Sequence, residues 1–253
     1  MLGVLDLFAG IGGFSLGLER TGGFKTVAFC EINKKAQLVL KKHWPGVPVY
    51  EDIKELSGEK LQADGVAVPH VVTAGWPCQD ISTAGRGQGL RGSRSCLWSE
   101  AARVIGEVNP EIVVLENSPN LRNRGFEFVL SDLWSLGFDA EWHIIPASAV
   151  GAFHQRERLW VIAYAQRLGL SGSREFAPSV HPTPTAFREA DRFVDDFLEG
   201  SLPFVCGGHD GVSERVDHDA VKCLGNAVVP QITQFIGESI LSVIRSTDAS
   251  HGG

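Results

Sequence analysis

The segment "LGVLDLFAGIGGFSLGLER", residues 2–20, decides the class of fold. It opens with a short apolar run that is typical of a buried β-strand, and it ends with the apolar spacing of a helix. Between the two, Gly10, Gly12 and Gly13 allow a sharp turn and a close approach to a ligand at the helix N-terminus, where negative charge is favoured. Ser15 stands where a dinucleotide-binding fingerprint would have its third glycine, so a plain strand-to-helix turn is the alternative interpretation.

The same alternation of strand and helix continues through the first two thirds of the chain. Short apolar runs predict strands at residues 2–8, 25–32, 48–50, 70–75, 111–117, 142–148 and 158–165. Helical spacing lies between them, at residues 13–20, 34–43, 97–108 and 126–136. Near-continuous apolar strands separated by helices predict an α/β fold, with a mainly parallel sheet and helices on both faces.

Composition divides the chain into four parts. Residues 1–165 form the main α/β domain, and residues 166–217, rich in Pro, Gly and Ser with one helix near 187–198, predict a small loop-rich subdomain. Apolar character returns in residues 218–246, where a proline precedes an amphipathic helix. Residues 247–253 are predicted to be a disordered tail.

The bulk composition is that of an ordinary globular protein with 43% hydrophobic and 21% charged residues. It has no apolar run of about eighteen residues and no basic segment before its first apolar run, so we expect neither a membrane span nor a signal peptide, and a cytoplasmic location. The five cysteines include no Cys-x-x-Cys pair, which argues against a disulfide framework and a metal site. Because the net charge is −7, any surface for nucleic acid must be local, and arginines do cluster at residues 86–94 and 156–158.

Acidic residues follow the second and third predicted strands. Glu31 lies about 20 residues past the glycine loop, where nucleotide-binding α/β folds hold ribose hydroxyls. Asp52 and Ile53 follow the third strand. A solvated Asp is the simpler interpretation of Asp52 alone, but together these residues indicate a ligand with an adenosine moiety.

A thiol lies just past the fourth predicted strand. Most single cysteines are small buried hydrophobic residues, but Cys78 follows Pro77 and precedes a polar, glycine-rich segment of residues 79–95 that contains three arginines. An exposed thiol there can be a nucleophile, and a segment of that length is more typical of a functional lid than of a surface loop.

Two further pairs of residues, each containing a charged side chain, lie at the ends of predicted strands. Glu116 and Asn117 end the fifth strand, on the sheet edge expected for Cys78, and burial there would raise the pKa of the Glu116 carboxyl. A helix cap is the alternative for that pair. Arg156 and Arg158 have strand spacing, so both are predicted to face one side and bind an anion or a base; a salt-bridged strand edge is the alternative.

Taken in order, these segments resemble the cytosine-C5 DNA methyltransferases over nearly the whole chain except residues 166–207. "DLFAGIGGF" resembles the family's first motif, "GWPCQDIS" its Pro-Cys-Gln motif and "LGNAVVP" its C-terminal segment, which returns to the cofactor pocket. "ENS" resembles the Glu-Asn motif, with Ser118 in place of the usual valine. "HQRERLW" resembles the motif with two arginines, with His154 in place of the usual first glutamine.

The resemblance implies a Rossmann-like methyltransferase fold, S-adenosyl-L-methionine as cofactor, double-stranded DNA as partner and no metal. It implies catalytic roles for Cys78, Glu116, Arg156 and Arg158. The implied cofactor-binding residues are Phe8, Ala9, Gly10, Gly12, Gly13, Glu31, Ile32, Asp52, Ile53, Pro77, Asn226 and Val228. The implied DNA-binding residues are Gln79, Ser82, Arg86, Arg91, Arg94 and Asn117.

The implied reaction is addition of the Cys78 thiolate to C6 of a cytosine flipped out of the helix, followed by methylation at C5. Residues 166–217 take the place of the target-recognition region, which is usually longer in the family. A restriction-modification system with a cognate nuclease is the expected setting.

Three alternatives stay open. One is a tRNA methyltransferase of the same architecture, although the Cys-Phe-Thr-type signature of such enzymes is absent from residues 166–217. Another is a non-catalytic cofactor- or DNA-binding protein that needs a helper subunit for target recognition. The third is a nicotinamide-dependent Rossmann enzyme, which Ser15 disfavours.

Overall fold

The computed structural model of the protein describes residues 1–77, 96–123, 125–151, 156–169 and 227–251. The strands in these residues are β1 (Leu2–Leu7), β2 (Phe24–Cys30), β3 (Val49–Tyr50), β4 (Val71–Ala74), β5 (Ile112–Asn117), β6 (Phe138–Pro146) and β7 (Glu157–Ala165). The α-helices are α1 (Gly13–Arg20), α2 (Lys34–His43), α3 (Gly58–Ala63), α4 (Cys96–Val108), α5 (Phe126–Ser135) and α6 (Pro230–His251).

The described strands form one sheet in the order β3-β2-β1-β4-β5-β7-β6. Strands β1 to β5 run parallel to one another, whereas β7 runs antiparallel to both β5 and β6. The predicted α/β class with a mainly parallel sheet is therefore confirmed. Because β7 is antiparallel, its first residues lie beside the last residues of β5, and the carboxyl ends of β1, β2, β4 and β5 share that edge.

Hydrophobic side chains of the sheet are buried on both faces, because alternate residues of a strand point to opposite sides. On one face Leu5 and Leu7 belong to a cluster with Trp98 of α4 and Leu133 of α5. On the other face Val4 belongs to a cluster that includes residues of α1 and α6. Helices thus cover both faces, as the sequence predicts.

Two elements differ from the prediction. Strand β6 begins at Phe138, four residues before the predicted start at 142. It is the last strand of the described sheet, with Trp142 46% and Ile144 37% exposed, so its sequence alternates polarity instead of forming a continuous apolar run. The short helix α3 was not predicted; Ser57 caps it by accepting a hydrogen bond from the Lys60 amide (3.0 Å).

The segment predicted to be a disordered tail, residues 247–253, overlaps the last α-helix in its first five residues. Helix α6 continues through His251. No Gly or Pro occurs between Pro230 and His251 except Gly237, and each further helical residue adds one backbone hydrogen bond, so the helix propagates to the two terminal glycines. Most of the predicted subdomain at 166–217, including the helix near 187–198, lies outside the described residues.

Within the described part of the chain, no helix is both long and apolar enough to cross a membrane.

Candidate active site at the carboxyl edge of the sheet

The glycine loop leaves β1 through left-handed backbone conformations. Phe8 and Gly10 have φ angles of 54° and 55°, and Gly12, the N-cap of α1, has a φ of 90°. A Cβ atom on Gly10 would meet no heavy atom within 4 Å, so the loop borders open space there. Ala9, in contrast, is buried, and its amide donates to the Cys30 carbonyl (3.1 Å). The loop is therefore fixed to β2 and exposes backbone where the sequence predicts a ligand.

Glu31 connects the glycine loop to the start of α2. Its carboxylate is buried and accepts hydrogen bonds from the Gly10 amide (2.7 Å) and the Asn33 amide (2.7 Å), one on each oxygen. Each oxygen keeps a second lone pair for a further donor. The next side chain, Ile32, is 72% exposed, which is unusual for a large apolar residue beside a buried carboxylate. A buried acceptor next to an exposed apolar surface fits a ligand with hydroxyl groups and a flat apolar ring.

The two residues predicted after β3 lie at the same edge but differ in exposure. The Glu31 amide donates to the Tyr50 carbonyl (2.9 Å), which brings the ends of β2 and β3 together. Asp52 is partly exposed and accepts from the Lys54 amide (2.9 Å). Ile53 is buried in the core, and its carbonyl accepts from Arg103 (2.8 Å). The structure therefore leaves Asp52 available to a ligand and gives the Ile53 side chain a place in the core.

The C-terminal segment closes against the glycine loop. A Cβ atom on Gly13 would collide with the carbonyl of Val228, and one on Gly17 would collide with Thr233 and Pro230. The Thr233 hydroxyl hydrogen-bonds the Gly13 carbonyl (3.2 Å) across 220 residues of sequence. Glycine in α1 thus permits close contact with α6, and Val228 lies against the glycine loop at Gly13. Asn226 lies outside the described residues.

The ends of β5 and β7 bring Glu116 and Arg158 together. Glu116 is 8% exposed, and Nε of Arg158 donates to its Oε1 at 2.8 Å. A Cβ atom on Gly75 would lie 3.3 Å from Oε2, so the other carboxylate oxygen faces the end of β4. Burial raises the pKa of the Glu116 carboxyl, while the charges of Arg158 and Arg156 act in the opposite direction. The site therefore combines a buried carboxyl of raised pKa with two neighbouring cations.

Asn117, at the end of β5, has internal hydrogen-bond partners. Its side chain is buried, with Nδ2 donating to the Trp76 carbonyl (3.0 Å) and Oδ1 accepting from the Ser118 amide (2.8 Å). Both ends of the amide are thus engaged inside the protein, and the DNA contact of Asn117 stays a prediction. Asn117 fixes the backbone at Trp76, immediately before the exposed Pro77.

After β4, the described residues continue to Pro77 and resume at Cys96. The predicted nucleophile, the predicted DNA-binding residues of the following segment and the histidine of the arginine motif lie outside the described residues: Cys78, Gln79, Ser82, Arg86, Arg91, Arg94 and His154.

A buried carboxyl that the sequence reasoning missed links the two halves of the site. Asp6 on β1 is fully buried and accepts hydrogen bonds from the hydroxyls of Ser15 on α1 (2.8 Å) and Thr73 on β4 (2.7 Å). Burial raises the pKa of Asp6 to about 7, against the effect of these hydrogen bonds. The signal was present in the sequence, because a lone carboxylate within an apolar strand requires hydrogen-bond partners. Ser15, first considered only as a missing glycine, is one of them.

Across the described residues, no group of three His, Cys, Asp or Glu side chains is arranged to hold a metal ion.

Comparisons with known proteins agree on one family. The family model of C-5 cytosine-specific DNA methylases matches residues 2–202. The type II methyltransferase M.HgiBI of Herpetosiphon aurantiacus is 34% identical over 173 residues, covering 66% of this chain and 38% of that protein. The type II methyltransferase M1.ScrFI of Lactococcus lactis subsp. cremoris is 32% identical over 200 residues, covering 78% of this chain and 48% of that protein.

Solved structures have the same fold. A crystal structure of an E. coli prophage-encoded protein, described as a DNA modification methyltransferase, has a TM-score of 0.61 and 26% identity, covering 73% of this chain and 52% of that chain. A Spodoptera frugiperda DNMT2 mutant has a TM-score of 0.57 at 20% identity, covering 70% of this chain and 54% of that chain, which supports the fold alone. The chain spans less than half the length of the two curated relatives described above. With the family model covering most of its residues, the chain belongs to the C-5 cytosine-specific DNA methylase family.

Proposed function

We propose that this protein transfers a methyl group from S-adenosyl-L-methionine to C5 of cytosine in double-stranded DNA. The observation that carries the proposal is the buried Glu116 carboxyl, ion-paired with Arg158 at the sheet edge where β4 leads to Pro77 and Cys78. A buried carboxyl with a raised pKa, together with the cysteine that follows Pro77 in the sequence, would suit addition to an electron-poor ring.

The glycine loop and its neighbours fit the cofactor. Glu31 would accept hydrogen bonds from the ribose hydroxyls, Asp52 would face the adenine, and the exposed Ile32 would cover the ring. The loop backbone from Phe8 to Gly13 and Val228 would enclose the remainder. The cofactor supplies the methyl group; the chain supplies its binding and orientation.

On the substrate side, the protein groups make C5 nucleophilic. The Cys78 thiolate adds to C6 of cytosine, and Glu116 hydrogen-bonds N3 and the exocyclic amine, which offsets the negative charge that builds on the ring. Arg158 keeps the Glu116 carboxyl oriented. After methylation, loss of the C5 proton and elimination of the Cys78 sulfur restore the aromatic base.

The target base must leave the helix, because C6 is inaccessible in a stacked pair; unstacking costs a few kcal/mol. Arginines 86, 91 and 94 follow Cys78 in the sequence and would provide local attraction for phosphates despite the net charge of −7. Because the relatives described above are named type II methyltransferases, we place the protein in a restriction-modification system, with a cognate nuclease or helper subunit as partner.

Bisulfite sequencing of unmethylated DNA tests the proposal. The DNA is incubated with the protein and S-adenosyl-L-methionine, and conversion-resistant cytosines in one short sequence context are the expected result. Cys78→Ala should abolish protection while cofactor binding, measured by calorimetry, persists. Cys30→Ala is the matched control, since burial raises the pKa of that thiol to about 12 and leaves it unreactive. Protection that survives Cys78→Ala would refute the nucleophile, and absence of protection with bound cofactor would favour the RNA or helper-subunit alternatives.

A further inference from the structure

Strand β6 is the last strand of the sheet that the described residues form, and its pairing with β7 shows which backbone groups face the outer edge. The Ala147 amide donates to the Arg156 carbonyl (3.1 Å), just past the end of β6. At its other end the Gln166 amide donates to the Gly137 carbonyl (2.8 Å). Because hydrogen-bonded positions alternate along an antiparallel pair, the odd-numbered residues of β6 bond to β7, and the even-numbered residues direct their N–H and C=O groups outward.

Large apolar side chains are exposed on the same strand, on the face that α5 covers. Trp142 and Ile144 of β6 and Trp134 of α5 are all exposed. The Trp142 ring meets Phe126 at the start of α5 edge to face, with centroids 5.4 Å apart. The small Ala140 lies in a groove between β6 and α5 that Trp134 and Trp142 also line. Exposed aromatic side chains beside a groove are typical of a surface that binds another protein.

This edge can pair with an identical edge around a two-fold axis. With the axis at Trp142, that residue lies opposite the partner's Trp142, and Ala140 lies opposite the partner's Ile144. Opposite residues of an antiparallel pair project to the same face, so the partner's Ile144 covers the small Ala140 in the groove. The outward N–H and C=O groups of the three pairs at positions 140, 142 and 144 exchange about six hydrogen bonds.

Charge favours this register over its neighbours. With the axis at Trp142, Glu141 lies opposite the partner's His143 in a non-hydrogen-bonded pair, where side chains come closest. An imidazole N–H can donate to the carboxylate whether or not the ring is protonated. An axis one residue earlier sets Glu141 against the partner's Glu141, and an axis one residue later sets His143 against the partner's His143. Like charges directly opposite one another destabilise a strand pair.

We propose that this protein forms a homodimer in which the β6 edges of two copies pair antiparallel about a two-fold axis at Trp142. The partner is a second copy, since one strand supplies both members of every pair described above. The two sheets become one continuous sheet, and their parallel strands run in opposite directions. Each copy therefore keeps its own candidate active site, and association of the two copies does not depend on methyl transfer.

Cysteine cross-linking tests the register. The Cα atoms of a hydrogen-bonded antiparallel pair lie about 5.5 Å apart, a separation that a disulfide can span. Trp142→Cys should therefore form a symmetric intermolecular disulfide on mild oxidation, identified by peptide mass spectrometry. Ala140→Cys is the matched control on the same edge, because residue 140 lies about 13 Å along the strands from its own counterpart. A link in Ala140→Cys and none in Trp142→Cys would overturn the register.

Sedimentation measures the Kd of the dimer, and circular dichroism checks that each variant is folded. Ile144→Lys should raise this Kd about a hundredfold or more, because a symmetric dimer loses the contact with Ala140 twice and an edge lysine opposes strand pairing. Leu38→Lys, the same kind of exchange at an exposed leucine of α2, should leave the Kd unchanged. A protein that stays monomeric at about 0.1 mM, or a dimer that Ile144→Lys leaves intact, would overturn the proposal.

A charge exchange tests the pairing of Glu141 with the partner's His143. His143→Glu should raise the Kd of the dimer about tenfold, because it sets two carboxylates against each other at two places. Combining Glu141→His with His143→Glu restores opposite groups in the same register and should return the Kd to within about threefold of the wild-type value. Failure of the combined variant to recover would contradict the axis at Trp142.

Discussion

The two halves of the sheet edge are built in different ways. On the β1–β2 side, residues near one another in sequence make the ligand loop, and the Glu31 carboxylate accepts from the Gly10 amide, 21 residues away. On the β4–β5–β7 side, partners are farther apart: Asn117 reaches Trp76 across 41 residues, and Arg158 reaches Glu116 from an antiparallel strand. In the proposed function, cofactor binding and chemistry on the base would therefore rest on two separable sets of contacts, which Asp6 joins.

Glu116→Gln should have the largest effect. Gln cannot hold a proton for N3 of cytosine, so the single-turnover methylation rate should fall about 10²–10³-fold, equivalent to about 3–4 kcal/mol. The cofactor Kd should stay within about twofold, because Glu116 lies on the other half of the edge. Stopped reactions with radiolabelled cofactor give the rate, and calorimetry gives the Kd.

Glu157→Gln is the control for this change, since Glu157 is exposed and lies between the two arginines in sequence. A rate loss of comparable size in Glu157→Gln would mean that general electrostatics, rather than the Glu116 carboxyl, controls the reaction.

Asp6→Asn tests the link between the halves. Because the pKa of Asp6 in the folded protein is raised from 3.8 to about 7, the folded state binds more protons, and the free energy of unfolding should fall as pH rises through this window. Between pH 5 and pH 8 the free energy of unfolding of the wild-type protein should fall by about 2–3 kcal/mol more than that of Asp6→Asn. Urea unfolding at several pH values measures it.

The loss in the free energy of unfolding that Asp6 causes is small near pH 4, grows through neutral pH and becomes constant above about pH 8. Parallel stability curves for the two proteins would show that Asp6 does not titrate in this range. Ser15→Ala, which removes one hydroxyl donor, should shift the wild-type curve further toward instability at high pH.

Gly13→Ala should separate the C-terminal segment from the glycine loop. A methyl group at Gly13 collides with the backbone carbonyl of Val228, which cannot move without displacing α6, so the free energy of unfolding should fall by about 1–3 kcal/mol. Cofactor affinity should fall as well. Gly106→Ala is the control, because its methyl group meets only the end of Leu136 and gains helix propensity; it should be neutral or stabilising. Unchanged stability and affinity in Gly13→Ala would show that the close contact is not needed.

Glu31→Gln should have the smallest effect, confined to the cofactor half. The amide retains one acceptor oxygen but presents a donor to an N–H group, either that of Gly10 or that of Asn33. Cofactor Kd should rise about tenfold, close to 1.4 kcal/mol, with the single-turnover rate at saturating cofactor nearly unchanged. Glu51→Gln, at an exposed carboxylate, is the control. A rate effect at saturation would contradict the separation of the two halves.

The sequence by itself determined the order of the strands and of the longer helices, and it supplied the predicted site residues. Apolar runs and glycine positions report contacts between neighbours along the chain, and these predicted β1, the left-handed loop and α1, as well as Glu31 and Glu116 at strand ends. The start of β6 was misplaced and the short α3 was missed, because an edge strand and a one-turn-and-a-half helix carry weak periodicity. Helix α6 extends into the segment predicted to be a tail, because polarity alone does not stop a helix.

Only the tertiary structure decided which side chains meet. The insertion of antiparallel β7 beside β5 places Arg158 on Glu116, and no periodicity in the sequence encodes that strand order. The same is true of Asn117, which the motif alone suggested was a DNA contact and which the fold directs inward to Trp76. Asp6 with Ser15 and Thr73, and Trp76 with Trp98, are likewise contacts between elements. Local patterns are set by backbone preference and burial of one face, whereas these partners depend on how the faces and edges come together in three dimensions.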